Sequence, residues 1–388
     1  MLGKFGLAAT AMLVLPFSTA ANGAETSSPE SPDRLVLPSL NGPIVAERVM
    51  SGLSQPVAIE FLPDGTALIL QRDRGLMSHV DFRTGRKVDV EGMPDMLVKE
   101  AAGAHDIELH PRYAENGWIY VAYSEGEEYR STAVVDRVRL RNDKVTARER
   151  IFIADAYSEG LYHFAARMAF VDGYLYLAVG DREHPPMAQD NSNHAGTIVR
   201  LHDDGRVPSD NPFVGATAPE GTSPPRPEIW SFGHRDPQGL YRHPQTGELW
   251  SHEHGPRGGD EINLVKKGAN YGWPVVSYGL QYDGGPIGMG IPMQEGMEVP
   301  AWVYVPSIAP SDLVIYQGRA FPAWQGNFLI GSMVQTHFNR IVMRDGEAVA
   351  EERIAKRVLG RVRAVAVDSA GLVYLGSDNG EIWRLRPQ

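Results

Sequence analysis

The chain has no cysteine among its 388 residues. That one absence excludes disulfides, thiolate metal sites and cysteine nucleophiles together. Positive charge is also scarce: 37 Lys and Arg stand against 48 Asp and Glu, a net charge of -11. A chain of that sign is unsuited to coating nucleic acid or anionic lipid, so its expected partners are small molecules, with no nucleic acid and no stable membrane insertion. The apolar run from Phe5 to Phe17 is too short to span a bilayer. It follows a lone lysine and precedes small residues from Ala20 to Ala24, the three-part layout of a cleaved secretory signal over 1–24. A periplasmic or secreted location is therefore expected. The Ser-, Pro- and acid-rich residues that follow are expected to form a disordered lead-in over 25–40. No long helical pattern occurs after residue 34.

What the rest contains is a loose repeat: a turn with glycine, a short apolar-aromatic strand, then polar residues. It occurs six times, as in "LPDGTALILQR" from Leu62, "VDGYLYLAVGDRE" from Val171 and "VDSAGLVYLGSDNG" from Val367. The turn glycines are Gly65, Gly117, Gly173, Gly247, Gly326 and Gly371, separated by 52, 56, 74, 79 and 45 residues. A repeat near the length of a four-stranded sheet predicts an all-β fold, a six-bladed β-propeller forming one domain over 41–388. One small sheet cannot bury both faces alone, whereas a ring of them can. The wider spacings imply insertions on one face, where loops serve binding. The charged stretch "SHEHGPRGGDEINLV" from Ser251 is expected inside one of them.

Three segments carry candidate chemistry. In "LYHFAARMAF", His163 stands just ahead of a strand beside the small Ala165 and Ala166, placed to take a proton near neutral pH, unless it is a satisfied structural histidine. In "HRDPQGL", Arg235, Asp236 and Gln238 are expected to project from a proline turn; an arginine fork suits a carboxylate or phosphate, although a plain turn salt bridge uses the same residues. In the third, His252 and His254 with Glu253 and Glu261 offer weak zinc spacing without HExxH. Its Gly-Pro-Arg-Gly-Gly turn supplies rigid backbone carbonyls beside Asp260 and Glu261, oxygens of the kind calcium prefers.

Taken together, "GHRDPQGL", "EHGPRGGDEINLV", "GANYGWPVVSYG" and "PSIAPSDLVIY" resemble the soluble aldose sugar dehydrogenases of the glucose/sorbosone dehydrogenase family. The resemblance runs from about Val45 to Leu385. It implies a propeller that uses pyrroloquinoline quinone and calcium to oxidise an aldose sugar at C1 to its lactone and pass electrons to a periplasmic acceptor. By the same resemblance, His163 is the general base, and Arg235, Asp236, Gln238, Tyr282, Arg361 and Arg363 lie at the cofactor. Asp260 lines the substrate pocket. The carbonyls of Gly255 and Pro256 hold the catalytic calcium, and Glu261 and Tyr271 match a second, structural calcium site.

The chain departs from the family pattern near this presumed site. Ala101 stands where a glutamine is usual, Ala165 and Ala166 replace a Gly-Gly pair, and Asp236 replaces an asparagine, putting a negative charge beside an anionic cofactor. Two competing functions follow: a calcium propeller that binds ligand without turnover, and a calcium-dependent lactonase-type hydrolase.

Overall fold

The computed structural model describes residues 33–388, so the signal expected over 1–24 lies outside the described residues. Within them are six small antiparallel sheets, five of four strands and one of five, which form the six blades of the expected propeller. Each repeat glycine occupies the same place, the turn joining the first strand of a blade to the second. Gly65 lies between Pro56–Phe61 and Ala67–Gln71, and Gly371 between Val362–Val367 and Val373–Ser377. All six have φ between +66° and +86°, the left-handed region that a side chain disfavours.

The first strands line the central channel and touch in order around the ring: Pro56–Phe61, Ala104–Leu109, Ala165–Val171, Pro237–Arg242, Pro310–Ile315 and Val362–Val367, the last packing back on the first. Aromatic and branched side chains fill the space between blades. Tyr120, Phe164, Leu177 and Val199 share one cluster, and Trp324, Phe338, Trp383 and Leu385 share another. Each such burial stabilises by about 1.5–3 kcal/mol.

The ring closes by mixing chain ends. Ile44–Met50 pairs with Glu381–Pro387, setting Ala46 opposite Leu385. This closure corrects the lead-in expected over 25–40 at residues 34–37; residues 25–32 lie outside the described residues. Arg34–Leu37 is a strand on the outer edge of that sheet, with Leu37 buried, because its alternating Leu35 and Leu37 pair with Ile44–Met50.

The charged stretch is not an insertion either. It is two paired strands, Leu249–Glu253 and Asp260–Val265, with a turn over 254–259. The long connections are 203–228 and 266–301. Among the described residues no helix is long and apolar enough to cross a membrane.

One irregularity repeats in every blade. Each first strand slips register near its start, leaving Val57, His105, Gln238, Asp312 and Arg363 without a cross-strand partner, and the Ala166–Arg167 pair likewise. A β-bulge bends the strand and re-aims the extra side chain. Here it does so at the same level around the whole channel.

Candidate active site

At the bulged end of the channel is a cavity of about 670 Å³. Its floor includes the bulge residues His105, Gln238 and Arg363, and its walls come from the loops entering the blades. Nine of the twelve residues that the resemblance assigned to the site line it: His163, Arg235, Asp236, Gln238, Gly255, Pro256, Tyr282, Arg361 and Arg363. Residues up to 200 positions apart in the chain thus meet in one space.

His163 enters with a left-handed backbone, φ +51°, on the loop before Ala165–Val171. Its Nδ1 lies 2.6 Å from Oδ1 of the fully buried Asp181. Asp181 also accepts from Trp273 Nε1 at 2.8 Å and from the Glu183 backbone N–H at 2.9 Å. A carboxylate engaged by two fixed donors requires a donor from the ring as well, so Nδ1 carries hydrogen and Nε2 is the nitrogen left for proton transfer.

The cavity is also lined by cationic side chains. Arg235 is buried, its backbone N–H bound to Glu253, its Nη1 donating to the His254 carbonyl at 3.1 Å and its guanidinium 5.4 Å from the Trp273 ring centre. Arg361 and Arg363 converge on Asp378, with Arg361 Nε at 3.0 Å. Arg72, which sequence reasoning missed, joins them by donating to the carbonyl of Ala101. Burial, reinforced by Arg363, pushes it down to about 9, so it remains charged at neutral pH. Five arginines line the cavity against two carboxylates, Glu100 and Asp236.

Asp236 is itself buried and keeps its charge. Burial raises its pKa, but His163, His254 and Arg235 outweigh that and hold it below the usual carboxylate range. Its Oδ2 is 3.5 Å from His254 Nδ1, and its Oδ1 accepts from Gln238 at 3.0 Å. Gly255 and Pro256 border the same cavity, and among the described residues neither of their carbonyls accepts a hydrogen bond.

The glucose/sorbosone dehydrogenase family model matches residues 53–384, the whole ring apart from its outermost N-terminal strands. The chain belongs to this family. It is 35% identical to the aldose sugar dehydrogenase YliI of Escherichia coli, covering 88% of this chain and 92% of that one. The apo-form structure of the soluble E. coli aldose sugar dehydrogenase superposes with a TM-score of 0.80 at 33% identity, covering 89% of this chain and 100% of the other. Similarity extends to quinoprotein glucose dehydrogenase B of Acinetobacter calcoaceticus, 25% identical over 74% of each chain.

Within this family member three expected residues stand outside the cavity wall. Asp260 is fully buried, and its carboxylate accepts from the Gly255 N–H at 2.9 Å, the Ser307 hydroxyl at 2.8 Å and the Ile308 and Ala309 N–H groups at 2.7 and 3.0 Å. It therefore shapes the Gly255–Pro256 turn rather than meeting substrate. Glu261 and Tyr271 border a small void below, with Glu253 and Arg235. The Tyr271 hydroxyl is committed to the Leu264 carbonyl at 2.5 Å, whereas the Glu261 carboxyl, raised to about 8 by burial and by Glu253, is suited to a cation.

No group of three His, Asp or Glu side chains among the described residues converges as a metal cage, so carbonyl oxygens would have to supply most ligands. The zinc pattern dissolves as well, because His252 and His254 are engaged separately, on the carbonyls of Asp312 and Pro310. The Ala165 and Ala166 departures keep the backbone a Gly-Gly pair would favour, with φ of +55° and +59°.

Asp181 and Trp273 were the other residues missed. Asp181 does carry a signal, an acid at the exit of the strand "YLYLAVGD", but only the fold brings it under His163.

Proposed function

We propose that the chain is a pyrroloquinoline quinone-dependent, calcium-assisted sugar dehydrogenase that oxidises an aldose at C1 to its lactone. The observation that carries this reading is the convergence on one cavity of a base with a single free nitrogen, a wall of arginines and two unengaged carbonyls. These residues fit the cofactor. A flat tricarboxylate needs cationic partners in a partly dry site, and Arg72, Arg235, Arg361 and Arg363 provide them, while the Gly255 and Pro256 carbonyls would hold calcium.

When bound, the quinone with its calcium supplies the acceptor for a hydride. The protein's own part is to orient the sugar and move one proton. His163 Nε2 takes the proton of the anomeric hydroxyl as the C1 hydrogen leaves with its electron pair, and the C1–O bond becomes the lactone carbonyl. Asp181 holds the imidazole and stabilises its charge once protonated. The electrons then pass to a periplasmic acceptor, in keeping with the export signal expected from the sequence.

The test is reconstitution. Apo-protein mixed with pyrroloquinoline quinone and calcium should bind the quinone and reduce a dye when aldoses are added. His163→Ala should keep quinone binding and lose nearly all turnover. A protein that binds no quinone, or a His163→Ala variant with unchanged turnover, overturns the reading.

A further inference from the structure

We infer that Arg182 is a positioning residue for His163, a buried clamp that fixes the loop carrying the base. This rests on the role proposed for His163. The loop is strained: His163, Ala165 and Ala166 all have left-handed φ, a region that the Cβ of a non-glycine residue disfavours. Such backbone persists only where its surroundings over-determine it.

Arg182 supplies the restraint. Its Nη2 donates to the Gly160 carbonyl at 2.7 Å, and its Nη1 donates to the Tyr162 carbonyl, so one planar fork grips the backbone on the approach to His163. Beyond the histidine, the guanidinium carbon lies 3.4 Å from the Phe164 ring centre. The residue before Arg182 in the chain is Asp181, which holds the imidazole. One short segment therefore fixes both the ring and the backbone of His163.

The energetics argue against a role in stability alone. Arg182 is 1% exposed and forms no salt bridge among the described residues, and its Nε has no hydrogen-bond partner. Burial pushes it down to about 10, so it is still a cation at neutral pH. A charge so deep without a direct ion pair is expensive, and an apolar residue of similar volume would avoid that cost but leave the Gly160 and Tyr162 carbonyls without their donor. What an apolar residue cannot do is hold two carbonyls at a fixed separation.

The test uses Arg182→Met and Arg182→Lys in the full chain. In the apo-protein, amide hydrogen exchange of the peptide spanning 158–166 should speed at least tenfold in Arg182→Met, with strands of the opposite blades unchanged. Exchange at the wild-type rate overturns the clamp without reference to activity.

In protein loaded with pyrroloquinoline quinone and calcium and assayed on D-glucose, kcat should fall on the order of 10²-fold, with KM and quinone affinity within about twofold. Placed on His163→Ala, the same substitution should remove nothing further, since it acts through the histidine. An equal loss in both backgrounds would show a general structural role and overturn the inference while leaving His163 as base. A His163→Ala variant with full turnover would instead overturn the base itself. Should Arg182→Met fail to fold, Arg182→Lys keeps the charge but can reach only one carbonyl. It is expected to show intermediate exchange and turnover, and wild-type values for both would sink the proposal.

Discussion

Replacing Asp181 by Asn isolates what the buried carboxylate does, because the shape is kept and the charge and one acceptor are lost. Three groups face the two oxygens: His163 Nδ1 and the Glu183 N–H at Oδ1, and Trp273 Nε1 at Oδ2. An amide can satisfy only part of this set. With its oxygen toward Trp273, its NH₂ faces the Glu183 N–H, one donor against another, and forces His163 Nδ1 to become an acceptor. The proton then sits on Nε2, and the ring cannot act as base. With the oxygen toward His163, the tautomer is right but two N–H groups collide at Trp273.

Either conflict leaves a buried donor unpaired, at about 1–3 kcal/mol. Loss of the charge that would stabilise the protonated ring adds to that, so kcat of the loaded protein in a dye-reduction assay should drop at least about 10²-fold. Adding Trp273→Phe removes the competing donor and frees the amide to turn its oxygen to His163. The double variant should therefore recover part of the lost kcat, although Trp273→Phe alone should not raise it. A double variant slower than Asp181→Asn by the full effect of the tryptophan change would refute this account of the tautomer.

Four other outcomes are expected. Asp236→Asn should tighten quinone binding roughly tenfold by titration, since a fixed negative charge leaves the cavity. The folded pKa of Asp236 is depressed, so its stabilisation is complete above the ordinary carboxylate range and is lost as pH falls through its folded value; acid unfolding of the variant should lack that component. Gly65→Ala and Gly371→Ala share the same φ penalty of about 1 kcal/mol, but only at Gly371 would the methyl meet backbone, 2.5 Å from the Arg319 nitrogen. Denaturant titration should show Gly371→Ala several times more damaging, and equal losses would refute the packing argument. Millimolar calcium should raise the melting temperature of the wild type at pH 7 and do so far less in Glu261→Gln, because that carboxyl and Glu253 share a void that wants a cation.

The ring was legible in the chain before any fold was known. Turn glycines with left-handed φ and strands of alternating character are local properties, and six of them at blade spacing left little choice of architecture. The chain also determined which residue types were present for chemistry, and its motifs marked nine that share the cavity. Tertiary structure alone decided how they are used. The bulges that aim Gln238 and Arg363 inward depend on register with a partner strand, which no single strand's pattern contains. The burial that turned Asp260 into a turn support depends on Ser307 to Ala309, nearly fifty residues away. Asp181 and Arg182 gain their meaning only from the loop they meet, because hydrogen bonding and desolvation are set by what packs nearby in space rather than by neighbours along the chain.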